Sequence, residues 1–499
     1  MPTERRVSLP PEILAQIIDL TPREVRPVCL LLSRMLHDLV VPLVFSSVTV
    51  EFGAWEYSYH DEADDDDEDE DDDVHFNSSG IPGLAKEGRS SRSIDILKHI
   101  MEDSNFARVV KKLEVRAYEP RENLRGSAFD LRCLMLATYH LCNLHSLVWY
   151  GECPTPSLEI LESLGRTCPL LHEVALPCLA LKGLPLRGLR ALRSIIDSGT
   201  HLIKTPVDDL DVAEDSSIYL HGESLRKASL PATWITRIPP RLLPNLTHVE
   251  LLYLDLESVE RLGPFLKGLA QLQSLTISLD EVIADAVLTV LASSRDRNPR
   301  LTELCLQDML VSWADGGYSY SLERRLLSKI LLGRHALRRF RLNMYACPEA
   351  RLIPYLAILA TLKNLEVLEL ALIAPRGVLT CDFMSTLACH LPNGLTGLVV
   401  NVCADVFEPD ALDLIWSKLP RLGYLHLRTP ADLPSIRDLI ARARNLKVLG
   451  HNGRLYGVDY RAGSPELTAW PRSMILFRRA ELYGFPEWEW LTRHTQMYS

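Results

Sequence analysis

Nowhere in the 499 residues do about 18 apolar residues follow one another, so no transmembrane helix is expected. The opening MPTERRVSLPPE leads into no apolar stretch long enough for a signal peptide. The eleven cysteines include no CxxC pair, which argues against a zinc ribbon. Their odd number and scattered positions argue against a disulfide framework. Cys29, Cys305 and Cys403 sit among apolar neighbours, as buried free thiols do. These features read as a reducing, intracellular protein of the cytoplasm, the nucleus or both.

Catalytic signatures are missing as well. There is no GxGxxG after a strand, no GxxxxGKS or GxxxxGKT, no GxSxG and no HExxH. Nothing points to an enzyme, to a cofactor or to a bound metal. His140, Cys142 and His145 lie close in sequence, but no fourth ligand accompanies them, so they read as a structural cluster. A weak cation site between His60 and His75, which flank the acidic run, is likewise a poor reading. A basic excess is also lacking. The net charge is −11, and residues 61–73, DEADDDDEDEDDD, hold twelve acids; without them the remainder carries +1. No nucleic acid and no membrane surface is expected as a partner.

What the chain does have is leucine in a fixed pattern, L-x-x-L-x-L. It occurs at Leu144, Leu171, Leu246, Leu272, Leu301, Leu337, Leu365, Leu395 and Leu422, with weaker copies at Val110, Leu192, Leu225 and Leu446. From Leu246 the anchors are 26, 29, 36, 28, 30, 27 and 24 residues apart. That period is largely the one of leucine-rich repeats. Each copy predicts a short strand whose leucines point inward while the residues between them point outward. The stretches 322–333 and 411–419 fit amphipathic helices between strands. Parallel stacking of such units yields a curved solenoid, because the helical side is longer than the strand side.

The start of the chain is different. Residues 8–20, SLPPEILAQIIDL, fit a short helix with Pro11 in its first turn, where a missing N–H costs nothing. Thr21 and Glu24 match a capping box, and Pro27 opens an expected longer helix to about Val40. Leu43–Val50 reads as a strand. Both helices carry more apolar side chains than so small a unit can hide. The acidic region from about 51 to 105 cannot bury enough apolar surface to offset its ordering entropy, and disorder is expected. The last residues lose the repeat and carry Trp470, Trp488 and Trp490, as a cap over the open end or as a tail that joins partner binding.

Leu9 to Ile18, L-P-x-E-I-L-x-x-I-I, and Ser33 to Val48, S-R-x-L-x-x-L-x-x-P-L-x-F-x-S-V, resemble the F-box. The combination with leucine-rich repeats is similar to fungal F-box proteins. The resemblance implies a three-helix module whose exposed apolar side binds the Skp adaptor, and through it a cullin and a RING subunit. The protein would be the non-catalytic client receptor of an SCF-type ubiquitin ligase; an adaptor-binding scaffold outside ubiquitin transfer is the alternative. Adaptor-binding candidates carried over are Leu9, Pro10, Ile13, Leu14, Ile17, Ile18, Leu32, Ser33 and Leu36. Leu36 stands where the family often has Trp or Phe.

The expected organisation is α/β: an F-box over 1–50, an acidic linker over 51–105, a repeat solenoid with a parallel sheet over 106–455, and a cap or tail over 456–499. A protein client would meet the concave strand face, on which the residues between leucines are displayed. These are His248, Glu250, Ser274, Thr276, Glu303, Arg339, Arg341, Glu366, Glu369, Tyr424, His426 and Arg428. Arg339 and Arg341, with Arg338 beside them, could receive an acidic or phosphorylated client segment by charge-assisted hydrogen bonds. The insertion at 313–320 is a contact loop or a plain inter-repeat loop.

Overall fold

Two compact units, Met1–Ser224 and Leu225–Ser499, make up the chain in the computed structural model. The structure describes residues 9–21, 25–53, 82–118, 124–177, 188–195, 224–279, 283–295, 298–308, 324–348, 356–373, 378–403, 406–408, 410, 412–428, 440–451, 454–461, 464–477 and 490–491. Glu24, the acidic run with His60 and His75, the insertion 313–320, Trp488 and the side chain of Cys403 lie outside the described residues. The boundary between the units falls inside the stretch 106–455 that was expected to be one domain.

The first unit opens with three helices, α1 (Pro11–Leu20), α2 (Arg26–Cys29) and α3 (Arg34–Val44). Thr21 does not start a helix as the capping-box reading had it. Its hydroxyl donates to the carbonyl of Ile17 at 2.8 Å and so closes α1. The expected long helix from Pro27 is broken in two, because Ser33 intervenes. The Ser33 hydroxyl accepts from the Leu36 N–H at 3.2 Å, the geometry of an N-cap. α3 then continues through Pro42 to Val44, two residues into the expected strand, which begins at Ser47.

Strands β1 (Ser47–Gly53), β2 (Lys112–Tyr118), β3 (Ser146–Cys153), β4 (Glu173–Pro177) and β5 (Ala191–Ile195) pair in parallel in chain order. Val48, Val50 and Phe52 are buried while their neighbours on β1 are half-exposed, the alternation a strand requires. The reading of 51–105 as disordered fails at both ends. β1 runs to Gly53, and helix Pro82–Glu102 buries Leu97 and Ile100 and offers the Ser93 hydroxyl to the Glu51 N–H at 2.9 Å. Two apolar anchors and a main-chain contact order this helix, although its flanking sequence is polar.

In the second unit β6 (Lys227–Pro231), β7 (His248–Leu254), β8 (Ser274–Leu279), β9 (Glu303–Asp308), β10 (Arg339–Pro348) and β11 (Val367–Ile373) pair in parallel, each with the next. β12 (Val378–Leu379) and β14 (Val406–Phe407) form a separate small ladder. β13 (Gly397–Cys403), β15 (Tyr424–Arg428) and β16 (Val448–His451) continue the main sheet in parallel. β17 (Arg454–Arg461) and β18 (Ser464–Ala469) then add to it antiparallel. The weak copies at Val110, Leu225 and Leu446 thus precede true strands, β2, β6 and β16, whereas Leu192 already lies within β5.

The pattern positions become the interior. Val249, Leu251, Leu275, Ile277, Leu304, Leu306, Phe340, Leu342, Leu368, Leu370, Leu398, Val400, Leu425 and Leu427 are at most 4% exposed. Between strands, helices contribute a second buried stripe: Val259, Leu262 and Leu266 from Leu256–Gly268, and Phe383, Met384 and Leu387 from Cys381–His390. Both helices begin on side-chain caps, Asp255 accepting from Ser258 N–H at 2.7 Å and Thr380 from Phe383 N–H at 3.2 Å. These two repeats therefore bury apolar side chains from a strand and from its helix, and neighbouring repeats complete the burial.

Candidate interaction surfaces

Helical spacing divides the apolar residues of α1 into two sets. Ile18 turns inward and is 2% exposed, with Leu14 half-buried beside it. Ile13, Ile17 and Leu20 recur on the other side and are 42%, 48% and 86% exposed. Leu9 and Pro10 before the helix are exposed too. The connection from α2 into α3 adds Val28, Leu31, Leu32 and Met35, all exposed. Ile18 is therefore part of this unit's own interior and unavailable to a partner. Ser33 is exposed, with its hydroxyl engaged in the α3 cap, and Leu36 is half-buried. Leu20, Val28, Leu31 and Met35 extend the set taken from the resemblance. Isolated exposed leucines need no explanation, but so many exposed apolar side chains on three short consecutive helices make a candidate interaction surface.

The strand face of the second unit departs from expectation more sharply. In-register pairing aligns the residues between the leucines into rows. One row runs through His248, Ser274, Glu303, Arg339, Val367, Gly397, Tyr424 and Val448. The next runs through Glu250, Thr276, Cys305, Arg341, Glu369, Val399, His426 and Gly450. Of these, His248, Glu250, Ser274, Thr276, Glu303, Arg339, Arg341, Glu369, Tyr424 and His426 were expected to be displayed to a client. Glu250, Arg341, Glu369, Tyr424 and His426 are instead at most 5% exposed, and His248, Arg339 and Arg428 are half-buried.

The charges of Arg339, Arg341 and Arg428 are answered within the face. Glu369 pairs with Arg341 Nε at 3.1 Å and with Arg428 Nη1 at 3.4 Å, and accepts from Asn401 Nδ2 at 3.3 Å. Arg339 donates to Glu303 at 3.0 Å, and the exposed Arg338 donates to Glu366 at 2.6 Å. The arginines read as a phosphate receptor are thus already neutralised by carboxylates one strand away. Burial sets the protonation of the remaining groups. It pushes the Cys305 thiol up to about 12, raises the Tyr424 phenol, and drives His426 well below the ordinary imidazole value, with the Arg428 charge adding to the last. Gly450 lies against the His426 ring: a Cβ there would stand 2.4 Å from His426 Cγ.

The end of the chain accounts for part of this burial. The β17–β18 hairpin extends the sheet beyond β16, as a cap does, although it begins at Arg454 within the stretch expected to be repeats. Trp470 and Leu491 then form one apolar cluster with Val367, Val399, Tyr424, Val448 and Leu455, against which Ile475 and Trp490 pack. Arg341 Nη1 donates to the main-chain carbonyl of Leu491 at 2.9 Å across 150 residues of sequence. The tryptophans signalled a special segment; that it lies on the strand face was not readable from them.

The first unit repeats the ionic arrangement on a smaller scale. Arg116 on β2 donates to Glu114 at 2.7 Å and to Glu51 on β1 at 2.7 Å, with Arg116 and Glu114 both buried. Among the described residues no group of three or more His, Cys, Asp or Glu side chains is placed to hold a metal ion. His145 faces His172 at 5.5 Å between ring centres, and Cys142 is exposed. Cys305 is buried, whereas Cys29 is only half-buried. No helix among the described residues is long and apolar enough to cross a membrane.

No family model and no curated protein matches the chain. Among solved structures, a chain of the Toll–Spatzle complex, described as a molecular hub in Drosophila development and innate immunity, matches with 14% identity and a TM-score of 0.20. The match covers 70% of this chain and 42% of that one, so the present chain spans under half the length of the protein it matches.

Proposed function

We propose that this protein is a non-catalytic client receptor of an SCF-type ubiquitin ligase, an F-box joined to a curved leucine-rich-repeat solenoid. The observation that carries the reading is the exposed apolar surface of α1 to α3: Leu9, Ile13, Ile17, Leu20, Leu31, Leu32 and Met35. A surface of this kind is stable in water only at a cost, and a complementary apolar partner relieves it. In the proposal that partner is the Skp adaptor, which brings the cullin and RING subunits. Parallel strands following one another in chain order, with helices between, support the solenoid reading. The receptor contributes proximity: client and ligase held on one chain raise the effective concentration of the client lysine.

Co-expression with a Skp adaptor and pull-down tests the proposal. Wild type should retain the adaptor, and an Ile13→Asp/Ile17→Asp variant should lose it, because two carboxylates would be desolvated against an apolar partner. Equal retention by both would overturn the assigned surface. Co-purification of the cullin, and a client that accumulates when the protein is removed, separate a ligase receptor from an adaptor-bound scaffold.

A further inference from the structure

We propose that Trp490–Leu491 is an internal occupant of the client face, holding the position that an aromatic–aliphatic pair of a client segment takes when it binds. This rests on the receptor reading above and adds the chemical class of the client. Leu491 is fully buried among Val367, Val399, Tyr424 and Val448, on four different strands. Gly397 leaves room beneath it; a Cβ there would stand 3.6 Å from the Leu491 side chain.

Three observations set this contact apart from an ordinary core. First, the face on which the occupant sits carries charged and polar groups along the same strands, Glu369, Asn401, His426 and Arg428, whereas the opposite side of β11, β13 and β15 presents Leu368, Leu370, Leu398, Val400, Leu425 and Leu427. Second, the ionic groups of that surface are paired with one another. Glu369 has both Arg341 and Arg428 as partners, so removing the occupant leaves no carboxylate stranded. Third, the polar link to the occupant is a main-chain carbonyl accepting from Arg341 Nη1. Any peptide offers that group, so a client segment with the right two side chains reproduces the whole interaction. A phosphorylated segment is the poorer match, since Arg339 and Arg341 already face Glu303 and Glu369.

The test uses the full chain, wild type beside a Trp490→Ala/Leu491→Asp variant. The probe is a fluorescein-labelled synthetic peptide with the sequence of residues 484–499, GFPEWEWLTRHTQMYS, followed by anisotropy. The variant should bind the peptide. Wild type should bind it at least about tenfold more weakly, because its tethered segment competes at an effective concentration on the order of millimolar. A peptide carrying the same two substitutions should not bind. A folded variant without affinity for the peptide, or equal binding by variant and wild type, would overturn the proposal. Loss of cooperative unfolding in both this variant and the milder Leu491→Ala would overturn it too, since a segment the unit cannot fold without is not exchangeable. The adaptor pull-down on the same variant separates the two readings. Adaptor retained without peptide binding removes only this inference; peptide bound without adaptor removes only the receptor.

Discussion

The N-terminal helices and the strand face of the second unit treat their side chains in opposite ways. On α1 to α3, isoleucine, leucine and methionine remain in water. On β10 to β15, arginine, glutamate, tyrosine and histidine are removed from it. Residue type alone predicts the reverse in both places. Among the described residues, none of the helical segment folds over its own apolar side. The strand face has charges that answer one another across the ladder, and a distant segment to cover them. Exposure is thus decided by which surface finds a cover within the chain, and the surface without one is the better candidate for a partner from outside.

The comparison can be broken at several points, whose effect on the protein's own stability falls from one to the next. Glu369→Ala should be the most severe. It leaves Arg341 and Arg428 without their shared buried carboxylate, at a cost of about 3–5 kcal/mol. Denaturant titration of the full chain would read this, and a loss under about 1 kcal/mol would mean that the face is wetter than its burial implies.

Gly450→Ala comes next. Its methyl would meet His426 at 2.4 Å and Leu455 Cδ2 at 2.8 Å. Overpacking of this kind costs about 1–3 kcal/mol. Thermal melts that coincide with wild type would show that the imidazole has room to turn away.

Acid sharpens the contrast. The folded-state pKa of His426 lies well below the ordinary 6.5, so as pH falls the unfolded chain takes up the proton first. Stability from this group is therefore full above about pH 6.5 and declines below it, by up to about 1.4 kcal/mol per pH unit for one proton. His451, also depressed by burial, acts in the same direction. A His426→Asn variant should show a shallower decline in melting temperature between pH 7 and pH 5 than wild type. An unchanged slope would assign the acid response elsewhere.

Smallest of all should be the Ile13→Asp/Ile17→Asp change. Both side chains already lie at the surface, 42% and 48% exposed, so the protein's own stability should stay within about 0.5 kcal/mol of wild type. A larger loss would mean that the helices bury this face within the chain, and the contrast with β10–β15 would disappear.

Much of the architecture was legible because leucine periodicity is a local signal. Strand positions follow from L-x-x-L-x-L even at the degenerate copies, since a valine or alanine still fits a pleated, buried slot. Pro11 in the first turn of α1 was readable for the same reason. The misreadings have local causes too. Thr21 had the right spacing for a cap but lies at the end of a helix, and Ser33, read as an adaptor contact, proved to be the cap. Helix Pro82–Glu102 was hidden by the acidic composition around it. Its anchors, Leu97 and Ile100, are too few to stand out in a polar stretch.

By itself the sequence determined the repeating strand, its inward leucines, the class of connection between strands and the apolar excess of the first helices. Each of these depends on neighbours within one turn or one strand, where spacing translates directly into geometry. Only the tertiary structure decided which apolar residues of α1 face inward, where the chain divides into two units, and that the strand face is covered. Those outcomes depend on partners tens to hundreds of residues away, such as the Leu491 carbonyl on Arg341. No periodicity in the sequence encodes a contact between two segments that each look complete alone.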